Sequence, residues 1–296
     1  MSVGTMHADE PEIDDALVRR LIAAQFPHWS GLPAERVGVT GTSNAMFRLG
    51  ENLVVRLPRT AGSAGDTAKE HRWLPRLAPV LPVAIPVPLG AGVPGEGYPW
   101  PWSVYGWLDG TCPTVGDTAE AAPLARDLAG FVTALHHVDP ADGPPSYRSE
   151  SLAARDTAVR EALADLRTET DTVTAAEVWE TALRAPAPAG PPGWIHADLQ
   201  PGNMLTADGR LTAVIDFGCL GLGDPAVDLI SAWYVLPAGA RGTFRDAARA
   251  DDAAWARGTG WALSIALMEL QYYRGTNTFM ADTARHVIAE ILADQR

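Results

Sequence analysis

Lysine is almost missing from this sequence: Lys69 is the only one among 296 residues. Positive charge therefore rests on arginine, and with Lys+Arg 23 against Asp+Glu 36 the formal net charge is -13. A chain this acidic has no obvious source for the phosphate neutralisation that drives nucleic-acid binding, so no nucleic-acid partner is expected. Cysteine is nearly as scarce. Cys112 and Cys219 are far apart and lack the paired spacing of a zinc site or a disulfide framework, which predicts two small core residues in a reducing compartment. No run approaches the roughly 18 apolar residues of a membrane span, and the opening MSVGTMHADEPEIDD has neither a basic nor an apolar leader segment. The expectation is a cytoplasmic protein with no membrane partner. What is present is ordinary globular material, 47% hydrophobic and 20% charged, long enough for one large domain or two modest ones. The surplus of carboxylates suits a cationic ligand, and suits solubility equally well.

Local patterns alternate between the two secondary-structure periods. Asp14 and Asp15 precede Leu17, Leu21 and Ile22 at helical spacing, predicting an N-capped helix that ends near Phe26 and Pro27. Residues 36–57 read as three short antiparallel strands, VGVT, AMFRLG and LVVRLP, separated by GTSN and EN. A helix is predicted over 67–77, then a Pro- and Gly-rich extended stretch over 80–97, then a strand in WSVYGWLDG. Apolar residues Leu124, Leu128, Phe131, Val132 and Leu135 mark a long amphipathic helix over 120–138, and helix dominates the remainder. APAPAGPPG at 185–193 interrupts it and leads into the strand-like Trp194 and Ile195.

The chemistry lies just beyond. His196 opens H-A-D-L-Q-P-G-N, which places Asp198 five residues before Asn203, and Asp216-Phe217-Gly218 follows after a short gap, matching the catalytic-loop and metal-binding pattern of kinases. Asp208-Gly209 between two apolar stretches signals a hairpin whose closure brings Asn203 and Asp216 together. Two oxygen ligands of this kind suit Mg²⁺, which completes its shell with water and triphosphate oxygens. A carboxylate at Asp198 can orient an acceptor hydroxyl and accept its proton.

WIHADLQPGNML followed by AVIDFGCLGLGDPAVDL resembles the motif block of the aminoglycoside phosphotransferases, with similar blocks in choline and fructosamine kinases. The resemblance implies an α+β, protein-kinase-like fold of two lobes sharing a cleft. Residues 1–108 would form an N-terminal antiparallel sheet lobe ending in the hinge, and residues 109–296 a mostly helical lobe for catalysis and acceptor binding. It implies Asp198 as catalytic base, His196 as brace of the catalytic loop, Asn203 and Asp216 as magnesium ligands, and Asp228 as support from behind. Asp224 reads as a helix cap. The loop Gly41 to Asn44, with Thr42, Ser43 and Asn44, resembles the nucleotide-positioning loop, and backbone groups near Tyr105 to Leu108, with Gly106 and Trp107, resemble the hinge that bonds the base, ATP or GTP. Arg56 stands where kinases carry the phosphate-holding lysine, a departure a bidentate guanidinium tolerates, with Glu70 as its partner or else as an exposed neighbour of Lys69. His136 and His137 point to different helix faces and read as packing and capping.

For the acceptor, Trp233, Trp261, Glu269, Tyr272 and Tyr273 fall on predicted helices, with Glu269, Tyr272 and Tyr273 sharing a surface that suits a cationic or sugar-bearing small molecule, or else serving as core. The resemblance implies Mg-dependent transfer of γ-phosphate to a hydroxyl of an aminoglycoside or other antibiotic. A metabolic kinase of choline, amino-sugar or hydroxy-amino-acid type, and a non-catalytic nucleotide-binding pseudokinase, are the alternatives.

Overall fold

The computed structural model describes residues 11–38, 43–114 and 121–295. Thr42, together with Gly41, lies outside the described residues. The chain divides into two compact units: Met1–Asp109 with Ala213–Gly218, and Gly110–Thr212 with Cys219–Arg296.

In the first unit, strands β1 (Ala34–Arg36), β2 (Asn44–Leu49), β3 (Leu53–Pro58), β4 (Pro88–Gly92) and β5 (Trp102–Gly106) form one sheet in the order β1-β2-β3-β5-β4, with every pairing antiparallel. The first strand forms earlier than the sequence pattern placed it, at Ala34–Arg36, with Val37 N–H still donating to the Met46 carbonyl. Helix α1 (Asp15–Gln25) is capped by the Asp14 carboxylate, which accepts from Leu17 N–H. Its Leu17, Val18, Leu21 and Ile22 bury against Phe47, Val55, Leu57, Trp102 and Val104. Because strand side chains alternate faces, burying Val55, Leu57 and Val104 on that side turns Arg56, Ser103 and Tyr105 to the opposite one. There they meet α2 (Ala61–Leu77), which begins six residues before the expected start because Thr60 caps it through Ser63 N–H.

The second unit holds α3 (Ala121–His136), α4 (Asp156–Asp165), α5 (Thr172–Arg184), α6 (Ser231–Tyr234), α7 (Ala238–Ala247), α8 (Asp252–Tyr273) and α9 (Thr278–Ala293). Strands β6 (Gly193–Ile195) and β9 (Gly221–Gly223) pair antiparallel. The hairpin of β7 (Met204–Ala207) and β8 (Arg210–Val214) turns at Asp208 and Gly209, whose φ of 50° and 72° are the positive pair that a two-residue hairpin turn requires. Helix α8 is the axis of this unit, buried from Gly258 to Leu267; a Cβ on Gly260 would stand 2.5 Å from that of Ala182, so glycine here is what lets α5 approach. No helix among the described residues is long and apolar enough to cross a membrane. Cys112 departs from the core placement expected of it: it is exposed on the segment following Gly110, while Cys219 is partly buried, and both are free thiols.

Candidate active site

In the first unit, the face beneath the sheet gathers a charged cluster. Arg56 Nη1 bonds both carboxylate oxygens of Glu70 at 2.5 Å, and Nη2 reaches Asp216 Oδ1 at 3.1 Å. Burial alone would weaken the guanidinium's hold on its proton, but the charges of Glu70 and Asp216 outweigh it, and Arg56 stays firmly cationic. Glu70 is 1% exposed, which rules out a solvated neighbour of Lys69. It is held from a third side by the Tyr105 hydroxyl, which donates to Oε2 at 2.5 Å. Lys69 instead donates to the Gly218 carbonyl at 2.5 Å and pairs with Asp66 at 3.0 Å. The sole lysine thus ties α2 to the Asp216-Phe217-Gly218 segment.

Two residues expected at a nucleotide site have local partners of their own. Asn44 is not a loop residue: it starts β2, is buried, and with its amide oxygen toward Arg56 accepts from Nε at 3.1 Å and Nη2 at 2.8 Å. Its side chain orients Arg56. Trp107 N–H is committed to the Asn52 carbonyl at 2.8 Å, and its indole donates to Asp109 at 2.9 Å. That bond makes Leu53 and Gly106 a non-hydrogen-bonded pair, so Gly106 turns its N–H and C=O away from β3, beyond the last pair that β4 makes with β5. Ser43 is exposed, and its carbonyl accepts from Arg59 N–H.

In the second unit, the loop over 196–203 is built on Asp228. This carboxylate is fully buried and accepts from His196 N–H at 3.0 Å, Ala197 N–H at 2.7 Å and His136 Nε2 at 3.1 Å. Ala197 has φ 67°, a conformation that costs an alanine about 1 kcal/mol or more, and the Asp228 bond helps hold it there. His196 is buried and its Nδ1 accepts from Asp198 N–H at 3.2 Å. The loop consequently turns the Asp198 side chain outward, 26% exposed. Asn203 Nδ2 donates to Asp198 Oδ2 at 2.9 Å and to its carbonyl at 2.8 Å, which leaves Asn203 Oδ1 as the open acceptor. Asp216, in the first unit, likewise has Oδ1 on Arg56 and a side chain 40% exposed. Taken one by one, the amide oxygen of Asn203 and the carboxylate of Asp216 are oxygen donors of the kind a hard cation such as Mg²⁺ takes. Asp224 caps the turn at Pro225–Ile230 through Ala226 N–H and pairs with Arg257, and His137 caps its own helix on Thr133.

Sequence patterns missed Arg148, Gln200 and Tyr234 as members of this cluster, since only tertiary folding assembles them. Gln200 Nε2 donates to Asp198 Oδ1 at 3.3 Å and to Glu269 Oε1 at 2.6 Å, and the Tyr234 hydroxyl donates to Glu269 Oε2 at 2.7 Å. Of the acceptor candidates, Glu269 therefore joins the catalytic loop. Tyr272 is exposed and edge-on to Tyr273 at 4.8 Å. Trp233 is core, 1% exposed, lying against Trp255 with its indole donating to Asp294 at 2.9 Å, so it has no free face for an acceptor; Trp261 is buried as well.

Burial pushes the Glu269 carboxyl up to about 7, against the Tyr234 and Gln200 hydrogen bonds that pull it down. A carboxyl whose folded pKa lies above its unfolded value binds an extra proton in the folded state between the two, so it stabilises at low pH and that stability is lost as pH rises through about 7. Melting temperatures of wild type and Glu269→Gln between pH 5 and 8 should show the wild type losing ground to the variant as pH rises. A constant difference would place Glu269 at an ordinary carboxylate pKa.

The sheet over a paired arginine and glutamate, and the helical unit carrying an H-x-D-x-x-x-x-N loop, define a protein-kinase-like phosphotransferase. The chain belongs to the phosphotransferase enzyme family, whose model matches residues 36–261. No curated protein matches the sequence. Among solved structures, the fold is similar to the GDP complex of aminoglycoside 2'-phosphotransferase-IIIa, with TM-score 0.73, 20% identity, and coverage of 96% of this chain and 100% of that one. It is similar to the streptomycin-ATP ternary complex of APH(2")-IIa, with TM-score 0.60, 18% identity, and coverage of 96% and 97%. It is also similar to the macrolide 2'-phosphotransferase MphH from Brachybacterium faecium, with TM-score 0.62, 24% identity, and coverage of 93% and 97%.

Proposed function

We propose that this chain is a Mg²⁺-dependent phosphotransferase that moves the γ-phosphate of ATP or GTP to a hydroxyl of a small molecule, an aminoglycoside or another antibiotic. The observation that carries the reading is the orientation of Asp198, held by Asn203 and Gln200 and turned outward by a loop anchored on buried Asp228. In that position its carboxylate orients the acceptor hydroxyl and takes its proton as the oxygen attacks phosphorus. Asn203 Oδ1 and Asp216 would hold the cation, which supplies charge neutralisation for the triphosphate. Arg56, kept cationic and held by Asn44, Glu70 and Asp216, would stand in place of the usual lysine and would reach phosphate oxygens by exchanging its Asp216 or Asn44 bond for them. Ser43 would meet the phosphates, and the outward N–H and C=O of Gly106 would meet the base. On this reading residues 1–108 bind nucleotide and residues 109–296 supply catalysis and the acceptor surface, with Glu269, Tyr272 and Tyr273 at its edge. The neighbours in complex with GDP, ATP and streptomycin are consistent with such a donor and acceptor.

The test is magnesium-dependent transfer of γ-phosphate from ATP and GTP to a panel of aminoglycosides, macrolides, peptide antibiotics, choline and amino sugars. Transfer to an antibiotic class supports the reading; transfer only to choline or an amino sugar moves the chain to metabolism. Asp216→Ala should lose magnesium-dependent nucleotide binding, by about tenfold or more in Kd measured by titration calorimetry, while keeping its fold. Unchanged affinity in that variant would remove Asp216 from the metal.

A further inference from the structure

Arg148 comes from a segment that no sequence motif singles out, yet its guanidinium ends on the catalytic loop. Nη1 bonds the Ala197 carbonyl, lies 3.3 Å from Asp198 Oδ1, and lies 3.8 Å from Cys219 Sγ. The side chain is 12% exposed. We propose that Arg148 is a positioning residue for phosphoryl transfer, a guanidinium that fixes the Asp198 carboxylate in the orientation from which it meets the acceptor hydroxyl. The inference rests on the reading of Asp198 given above.

Three observations carry it. First, the two oxygens of Asp198 are held by different donors. Asn203 takes Oδ2, whereas Oδ1 receives Gln200 and Arg148, both at 3.3 Å. Without Arg148, only the Gln200 amide remains on Oδ1 among the described residues, and the carboxylate loses its one charged restraint. Second, Arg148 also grips the carbonyl of Ala197, the residue at φ 67° immediately before Asp198. The same side chain thus restrains the backbone and the carboxylate of the proposed base.

Third, the segment carrying Arg148 is itself locked. Ser146 N–H donates to the Leu222 carbonyl at 2.9 Å, Ser146 Oγ donates to the Cys219 carbonyl at 2.7 Å, and Arg148 N–H donates to Ser146 Oγ at 3.2 Å. A Cβ on Gly221 would stand 2.4 Å from Ser146 N, so the close approach of this segment to β9 depends on glycine there. An arginine whose backbone is fixed and whose charge is mostly buried costs desolvation, and that cost is recovered through the charge-assisted bonds it makes. Those bonds fall on Ala197 and Asp198. Burial opposes the Arg148 charge, and Asp198 leads the groups that restore it.

The experiment is a double-mutant cycle on transfer with the acceptor found active in the panel, using Arg148→Ala, Arg148→Lys, Asp198→Ala and the Ala/Ala double variant. Arg148→Ala is expected to lower kcat by about 100-fold while nucleotide Kd and acceptor KM stay within about threefold, because misorientation of a general base acts on the transition state. On the Asp198→Ala background the same change is expected to cost less than about threefold, since there is no carboxylate left to orient. Arg148→Lys keeps the charge but loses the planar fork, and should recover part of kcat. If Arg148→Ala melts below the assay temperature, Arg148→Lys with wild-type melting and kcat reduced by about fivefold or more gives the same support. Wild-type kcat in either folded Arg148 variant overturns the proposal, and so does a full additive loss on the Asp198→Ala background. Wild-type transfer by Asp198→Ala alone overturns the base assignment instead, so the two failures are distinguishable.

Discussion

Asp198→Ala is expected to lower kcat for phosphoryl transfer by roughly 10³-fold, within the 10²–10⁴ range of a lost general base, with nucleotide affinity within about threefold of wild type. The split follows from where the groups sit. The Arg56, Glu70 and Asn44 cluster proposed to meet the nucleotide belongs to the first unit, and none of its bonds given above passes through Asp198. Asp198 is partly exposed, so its loss leaves Asn203 and Gln200 near solvent, but Arg148, 12% exposed, keeps only the Ala197 carbonyl, so some stability is lost beside the rate. Asp198→Asn sharpens the test. It preserves size and much of the hydrogen-bonding shape but cannot accept a proton at neutral pH, so its kcat should fall within about tenfold of that of Asp198→Ala. Steady-state rates beside nucleotide titrations decide the matter. An asparagine variant that keeps more than about a tenth of wild-type kcat would show that Asp198 acts by shape, and equal losses of affinity and rate would move it into nucleotide binding.

What could be read from the sequence was what local chemistry dictates. Asp14 caps α1 because an aspartate before an apolar 3–4 repeat has little else to do, and Asp208-Gly209 turns a hairpin because few other pairs tolerate two positive φ values. The spacing of His196, Asp198, Asn203 and Asp216 was legible for the same reason, since a short loop and a hairpin leave few ways to arrange them. Helix α2 was not legible from its start, because AGSAG has weak helix propensity and only the Thr60 cap and packing on the sheet extend the helix back to Ala61. Arg148 was invisible because it lies 50 residues before the carboxylate it touches, and nothing in SYRSE distinguishes it from a surface arginine. The second use of Tyr105 was hidden too. A strand pattern assigns its ring to one face, but not its hydroxyl to Glu70, 35 residues earlier. Glu269 shows the limit of helical spacing: sharing a face with Tyr272 and Tyr273 suggested one common surface, whereas the fold takes the carboxylate inward to Gln200 and Tyr234 and leaves Tyr272 in solvent.

The largest stability effect should come from a residue that touches no reacting atom. Asp228→Ala is expected to lower the unfolding free energy by about 3–5 kcal/mol, because it strands the buried His196 and Ala197 N–H donors together with the partly buried His136 ring. Against the ~5–15 kcal/mol typical of folded domains, the variant should still fold at 25 °C but with a much lower urea midpoint. The rate should fall as well, since the left-handed backbone at Ala197 loses its anchor and Asp198 follows it. Asp228→Asn is not a rescue. A side-chain amide has one oxygen, so whichever way it turns, its N–H₂ faces either the His196 or the Ala197 backbone N–H, and a buried donor is left facing a donor. Its loss should therefore be of the same order as that of alanine, which is the opposite of what a merely space-filling aspartate predicts. Urea unfolding of both variants measures this. A cost below about 1 kcal/mol in either one would mean that the catalytic loop holds its shape without Asp228, and the derivation of Asp198's orientation from that carboxylate would have to be abandoned.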